Sequence, residues 1–312
     1  MRAIVTGGCG FIGFNLCREL AYKGYEVHVV DNLSSGHKDN VVPGVEYVFE
    51  DLHCCIVNMV QNLSPDVVFH LAAVPRVSYS VDYPYETAHA NVMGTLQVLD
   101  AVRVFEPTCR VVNSSSSSVY GGADVLPTPE NHRCNPQSPY ALDKSQAEQW
   151  CKMFFSLYGL DVVSLRYFNV FGPYSRFGGA YSTVLPCWLY SMIDSASPAI
   201  LEGDGSQSRD FCFVDNVVQA NILAAEREKP FTADVYNIAH QEKHSLLDIK
   251  ELLEKIHGSR LDLETCSPRI GDVKDTLADI SLAKKEIGYK PSLNFEEQVK
   301  SMYEWYQTGY FV

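Results

Sequence analysis

The sequence predicts an α/β fold, a parallel β-sheet with helices on both faces, extended by a smaller α/β lobe. Three observations carry this. The first half alternates short apolar runs with longer helical stretches, a glycine-rich turn joins the first run to the first helix, and the texture changes past residue 169. Short apolar strands separated by helices indicate a parallel sheet, because parallel neighbours need a crossover and the crossovers cover both faces.

Residues 3–6 read as the first strand and 11–23 as the first helix. EVHVVD (26–31) is a second strand and 45–49 a third. Residues 52–63 are helical, VVFHL (67–71) has a buried-strand pattern, 85–105 is a long helix and 110–114 another strand. A helix over 137–158 follows; Ser138 suits its N-cap and Pro139 its first position. VVSLRY (162–167) returns to strand. Gly, Pro, Tyr and Ser then crowd 171–183, and GDGSQS (203–208) is a loop. Residues 209–214 read as strand and 215–226 as helix, with further helices near 246–257, 281–287 and 295–306. The expected division is a nucleotide-binding domain over 1–168 and 212–240 and a smaller lobe over 169–211 and 241–312, with the ligand cleft between them.

The bulk numbers narrow the function. A chain of 312 residues, 46% hydrophobic, suits a soluble protein with a large core. Its formal charge of −13, from 25 basic and 38 acidic residues, argues against a broad nucleic-acid or anionic-membrane surface. The MRAIVTGG start has too short an apolar run for a signal peptide. No stretch approaches the ~20 apolar residues of a membrane span. Ten scattered cysteines without a C-x-x-C pair point to reduced thiols in a cytoplasmic protein, with neither a disulfide framework nor a metal site.

VTGGCGFIGF (5–14) places Gly7, Gly10 and Gly13 directly after a strand and at the opening of a helix. That is the Rossmann-type dinucleotide turn: small residues let the backbone approach a pyrophosphate, and the helix N-terminus faces its charge. The second strand ends at Asp31, 18 positions past Gly13 (31 − 13). A carboxylate there accepts the ribose hydroxyls of an adenosine and repels a 2′-phosphate, so NAD is favoured over NADP. Asp51 in FEDLH suits either an adenine contact or a helix N-cap.

Tyr140 and Lys144 form Y-x-x-x-K near the start of a helix and share one face. An ammonium beside a phenol is expected to lower its pKa, fitting the tyrosine for proton transfer. Upstream, five serines (114–118) precede V-Y-G at the end of a strand, a setting that reads as a site wall and not a flexible tether.

In this order, TGGCGFIG, DNLSSG, HLAA, NVMGT, SSSSSVYG, SPYALDK, LRYFNVFGP, GDGSQSRDF and PRIGDVKDTLADI resemble the extended short-chain dehydrogenase/reductase family, specifically its nucleotide-sugar epimerases. The resemblance covers nearly the whole chain. It implies that Tyr140 is the base, that Ser116 shares the substrate proton, and that Lys144 binds the nicotinamide ribose, with Asn91 supporting the lysine or acting only as a buried helix amide. It extends the NAD surface to Phe11, Ile12, Asn32, Ser35, Gly36, Leu52, Leu71, Ala72, Ala73, Ser114 and Tyr167. Arg209 and Arg269 match the diphosphate arginines, Asp272 the uridine-ribose acid and Asn169 a phosphate-side amide, while Ala180, Tyr181 and Ser182 match the segment lining the nucleotide pocket.

The family's dehydratases and decarboxylases carry acids just before V-Y-G, where this chain has Ser117 and Ser118. The resemblance therefore implies a UDP-sugar 4-epimerase. Hexose-only relatives have a tyrosine where Thr276 stands, so room is expected for an N-acetyl group. UDP-GlcNAc/UDP-GalNAc are the expected substrates, with UDP-Glc/UDP-Gal beside them. Arg76 and Ser78 lie in a loop that reaches the sugar, and the cation at Arg76 keeps UDP-glucuronate, as an epimerase or decarboxylase substrate, an alternative. An NAD-binding sensor is the non-enzyme alternative. The family pairs helices near 85–105 and 139–158 into a homodimer; Leu96, Leu99, Val102 and Phe105 suit that interface or the core.

Overall fold

The computed structural model describes residues 1–178, 183–194, 197–267 and 273–309. Its strands are β1 (Arg2–Thr6), β2 (Glu26–Val30), β3 (Glu46–Val48), β4 (Val67–His70), β5 (Arg110–Ser116), β6 (Val162–Tyr167), β7 (Ala199–Glu202), β8 (Ser208–Asp210), β9 (Asp234–Ile238), β10 (Lys243–Ser245) and β11 (Leu263–Cys266). A seven-stranded parallel sheet runs β3-β2-β1-β4-β5-β6-β9. Strand order reverses between β1 and β4, which opens a crevice at their carboxyl ends. Register brings Thr6 level with Val30 and His70, and Ser116 level with Tyr167, so the chemically interesting ends share one edge.

The helices are α1 (Phe11–Tyr22), α2 (Leu52–Leu63), α3 (Val77–Asp82), α4 (Pro84–Ala88), α5 (Gly94–Phe105), α6 (Pro139–Tyr158), α7 (Val184–Ile193), α8 (Val214–Glu226), α9 (Leu246–His257), α10 (Ser281–Glu286) and α11 (Phe295–Gln307). Successive strand residues face opposite sides. Val5, Val29 and Phe69 pack with Leu16 and Leu20 of α1 and Val217 of α8. Ile4, Val68 and Val111 pack with Ile56 of α2, Leu99 of α5 and Phe154 of α6. Each fully buried aliphatic side chain stabilises by about 1.5–3 kcal/mol, so two apolar layers hold the sheet edge on which the site is built.

A third core, around Trp188, Phe211, Phe295, Met302 and Tyr306, joins α7, α9 and α11. Beside it lie two small sheets, β7 with β11 and β8 with β10. The sequence pattern does not show α7, β7 or β11. A ten-residue apolar run with an internal proline is ambiguous in period, and four-residue strands carry little signal. The expected strand 209–214 is shorter: β8 ends at Asp210, and Val214 already opens α8.

The expected long helix 85–105 is also interrupted. Between α4 and α5, His89–Met93 form a π-turn. The widened turn aims Asn91 at Val74, whose N–H it accepts at 2.7 Å and whose carbonyl it meets at 3.2 Å. On α5, Leu99 and Val102 are fully buried and Leu96 packs against the same core, so that apolar face is interior; only Phe105 of the expected interface set is exposed.

Candidate active site

A cavity of about 880 Å³ lies over the carboxyl ends of the central strands. Its floor begins at the glycine turn. Gly7 has φ +73°, and a Cβ there would stand 2.8 Å from the Ala72 amide nitrogen. A Cβ at Gly13 would run into the Gly7 carbonyl oxygen. α1 opens at Gly10 with no side-chain cap, leaving its first amides to face a ligand. A backbone cradle that a Cβ would fill, ahead of a positive helix end, fits a dinucleotide pyrophosphate.

Asp31 is buried at the end of β2. Its carboxylate accepts the Cys9 N–H at 2.9 Å and the Leu33 N–H at 2.8 Å, which fixes its plane toward the cavity it lines. Burial raises its pKa, and those two amides oppose the rise. Asp51 is the helix N-cap that the sequence suggests. It caps α2 through the His53 N–H at 3.0 Å, accepts Asn32 Nδ2 at 3.0 Å, and lines the cavity.

The serine run forms the opposite floor. The Ser114 carbonyl accepts Lys144 Nζ at 2.8 Å, and its hydroxyl meets the Tyr167 hydroxyl at 3.0 Å. Ser115 donates to Glu148 Oε1 at 2.5 Å. Ser116 ends the strand, and its Oγ accepts the Ser118 N–H at 3.2 Å. Across from them, Ser138 caps α6 through the Ala141 N–H, with Pro139 at the first position as its sequence predicts. Tyr140 and Lys144 follow one turn apart, and the Tyr140 N–H is held by Ser80 Oγ at 3.1 Å.

Burial pushes the Tyr140 phenol up to about 12; the Ser116 hydroxyl pulls against this and the Asp143 carboxylate adds to it. The expected lowering by Lys144 is therefore not what the structure shows. The ammonium sits on the Ser114 carbonyl, and desolvation dominates the phenol. Burial likewise drives Lys144 down to about 8, against the pull of Asp143 and Glu148.

The cavity gathers Gly7, Gly10, Phe11, Ile12, Gly13, Asp31, Asn32, Ser35, Gly36, Asp51, Leu52, Leu71, Ala72, Ala73, Ser114, Ser116, Tyr140, Lys144 and Tyr167. Other expected residues lie elsewhere. Asn91 is behind the wall, buried, and donates to Asp143 Oδ2 at 3.2 Å. Arg76 and Ser78 are exposed at the start of α3, outside the lining. Asn169 and Thr276 meet around Asp210: Asn169 Nδ2 donates to the Asp210 carbonyl at 3.0 Å and to Thr276 Oγ1 at 3.3 Å. Arg209 beside them donates to the carbonyls of Ser208 and Lys274 at 2.9 and 3.1 Å. Ala180, Tyr181, Ser182, Arg269 and Asp272 lie outside the described residues.

Sequence reasoning missed two parts of the wall. His53, Tyr79 and Tyr85 line one side, and Tyr174, Arg176 and Phe177 another. The Gly- and Tyr-rich stretch after residue 170 was a usable signal for the second group; nothing local marks the first.

Residues 3–239 match the NAD dependent epimerase/dehydratase family. The chain belongs to that family of enzymes, whose cofactor, NAD, suits the glycine cradle and Asp31. It is 34% identical over 307 residues to a putative UDP-glucose 4-epimerase of Methanocaldococcus jannaschii, covering 98% of each chain. Among solved structures, it is 35% identical to the UDP-N-acetylglucosamine 4-epimerase of Methanobrevibacter ruminantium M1 in complex with UDP-N-acetylmuramic acid. That match has TM-score 0.92 and covers 99% of this chain and 98% of the other. A UDP-glucuronic acid 4-epimerase from Bacillus cereus, in complex with UDP-glucuronic acid and NAD, matches at 29% identity and TM-score 0.91, covering 99% of this chain and 100% of the other.

Proposed function

We propose that the chain is a UDP-sugar 4-epimerase acting on UDP-GlcNAc/UDP-GalNAc and, beside them, UDP-Glc/UDP-Gal. One observation carries this: Ser116, Tyr140 and Lys144 line the same cavity as the glycine cradle, and serines occupy 117 and 118, where eliminating relatives carry acids. Bound NAD supplies reversible hydride acceptance at a single sugar carbon. Gly7, Gly10 and Gly13 hold its pyrophosphate, Asp31 the adenosine ribose and Lys144 the other ribose. Burial favours the protonated phenol, so Tyr140 Oη must first give up its own proton, helped by the Ser116 hydroxyl and the charged Lys144; as phenolate it takes the proton of the C4 hydroxyl, Ser116 shares it, and the sugar becomes a 4-ketone. The ketone turns over in the cavity, is reduced on its other face, and recovers its proton from Tyr140.

Arg209, Arg269, Asp272, Asn169 and the 180–182 segment hold the UDP moiety in this reading. The small Thr276 and the likeness to an N-acetylglucosamine epimerase support the N-acetylhexosamine choice. One observation favours UDP-glucuronate as a second reading: Arg76 is an exposed cation one residue beyond Pro75, which lines the cavity. The reading includes a homodimer through α5 and α6. Leu142, Trp150, Met153 and Leu157 of α6, with Val104 and Phe105 of α5, leave apolar side chains in solvent. Light scattering of Leu157→Glu checks it: a monomer is expected, and an unchanged mass rejects this face.

The function is tested by incubating the protein with a panel of UDP-sugars and reading the products by NMR. Interconversion at C4, fastest with N-acetylhexosamines, is expected. A product lacking the elements of water, or release of carbon dioxide, would reassign the reaction.

A further inference from the structure

We propose that Asp143 is the counter-charge of Lys144, held out of contact with it so that the ammonium stays charged yet uncommitted. Lys144 is buried, and its Nζ donates to one neutral acceptor, the Ser114 carbonyl, at 2.8 Å. Among the described residues, no carboxylate forms an ion pair with it. A buried ammonium without a balancing charge is strongly disfavoured. Two buried carboxylates on α6 are available, Asp143 and Glu148.

Glu148 is already matched. It receives Arg166 Nε at 2.8 Å and Nη2 at 2.6 Å, and the Ser115 hydroxyl at 2.5 Å. Asp143 has only the neutral amide of Asn91, at 3.2 Å; burial pushes its carboxyl up, and that amide and the nearby Lys144 ammonium oppose the rise and favour the anion. The four buried charges therefore resolve into a contact pair, Glu148 with Arg166, and a separated pair, Asp143 with Lys144. Asn91 keeps the second pair apart. Both ends of its amide are fixed on the Val74 peptide groups from the π-turn, so Asp143 is anchored on Asn91 while Lys144 is anchored on the Ser114 carbonyl. A contact ion pair would occupy donors that Lys144 needs for a ribose and for Tyr140.

The other groups around Lys144 do not supply the balance. Tyr140 on its own helix is held protonated by burial. His70 of β4 lies between the hydroxyls of Thr6, at 2.9 Å, and Thr95, at 3.0 Å, and burial pushes it down to about 3, so it is neutral. β5 offers a carbonyl, and Arg166 of β6 stands behind Glu148. Burial brings Lys144 down to about 8, with Asp143 the first group resisting, so loss of this one anion decides its charge near neutrality. An anion raises a lysine pKa, and its removal lowers it. Asp143 is thus a positioning residue acting through Lys144; that role rests on the proposed function, but the titration does not.

The test is competitive acetylation of the folded protein against pH, with the peptide carrying Lys144 quantified by mass spectrometry. Asp143→Asn is expected to move the Lys144 midpoint down by about one pH unit, and Asp143→Glu to restore it. The alkaline limb of turnover moves the same way. Asp143→Ser repeats the test with a smaller neutral side chain. If both neutral variants, folded by circular dichroism, label Lys144 with the wild-type midpoint, the proposal is overturned. A shifted midpoint with no UDP-sugar turnover even in wild type would leave the counter-charge standing and count against the epimerase reading alone.

Discussion

The cavity side that suits a dinucleotide and the region proposed to hold the sugar nucleotide are built from different material. Around Gly7–Asp51 the surface is mostly backbone: a turn that excludes Cβ atoms, an uncapped helix start, and a carboxylate oriented by two amides. Around Asp210 it is assembled from side chains far apart in the chain, with Asn169 reaching Thr276 and Arg209 reaching the Lys274 carbonyl. Backbone recognition tolerates almost no substitution at its tight points and gives little room to vary the ligand. A side-chain assembly can be changed one contact at a time, which suits the half proposed to select the sugar.

That contrast orders the expected effects. The largest belongs to the chemistry both sides share. Tyr140→Phe should reduce kcat by roughly 10²–10⁴ while NAD, measured after denaturing release, stays bound. Full activity would remove Tyr140 from the mechanism. Next comes Gly13→Ala, which sets a Cβ against the Gly7 carbonyl and 2.8 Å from the Gly8 Cα, both backbone. Loss of bound NAD and a lowered Tm are expected in a calorimetric scan; a variant retaining both would show that the turn relaxes more than its contacts imply.

On the other side the effects are smaller and selective. Arg209→Ala should raise KM for UDP-sugars about tenfold, equivalent to one charge-assisted contact of about 1.4 kcal/mol, with NAD content unchanged. If the variant loses NAD and keeps its KM, the division between the two sides fails. Thr276→Tyr should shift the ratio of N-acetylhexosamine to hexose turnover toward the hexoses with little change in the hexose rate. The comparison is internal, since the lost hydrogen bond from Asn169 acts on both substrates. An unchanged ratio would place the gate elsewhere.

The same contrast explains what the sequence made legible. The glycine turn, Asp31 and the Ser138–Lys144 segment are local, so spacing along the chain is spacing in space. All the expected catalytic residues line one cavity. The electrostatics were not legible: a Tyr–Lys pair suggests a lowered phenol pKa, but burial, which no spacing reports, raises it. Nor was the π-turn, from which Asn91 meets both Val74 peptide groups across 17 residues. α7 and the short strands beside the third core take their form from packing around Trp188 and Phe295 and not from local pattern.

In the proposed reaction the hydrogen at C4 leaves as hydride and returns to the same carbon while Tyr140 handles only the hydroxyl proton. The direct measurement is NMR of the product formed from a UDP-sugar deuterated at C4, in ordinary water, with the unlabelled sugar in heavy water as its mirror. Deuterium is expected to stay at C4 in the first case, and none is expected to enter the ring in the second. Washout of the label, or solvent deuterium on carbon, would contradict the proposed reaction.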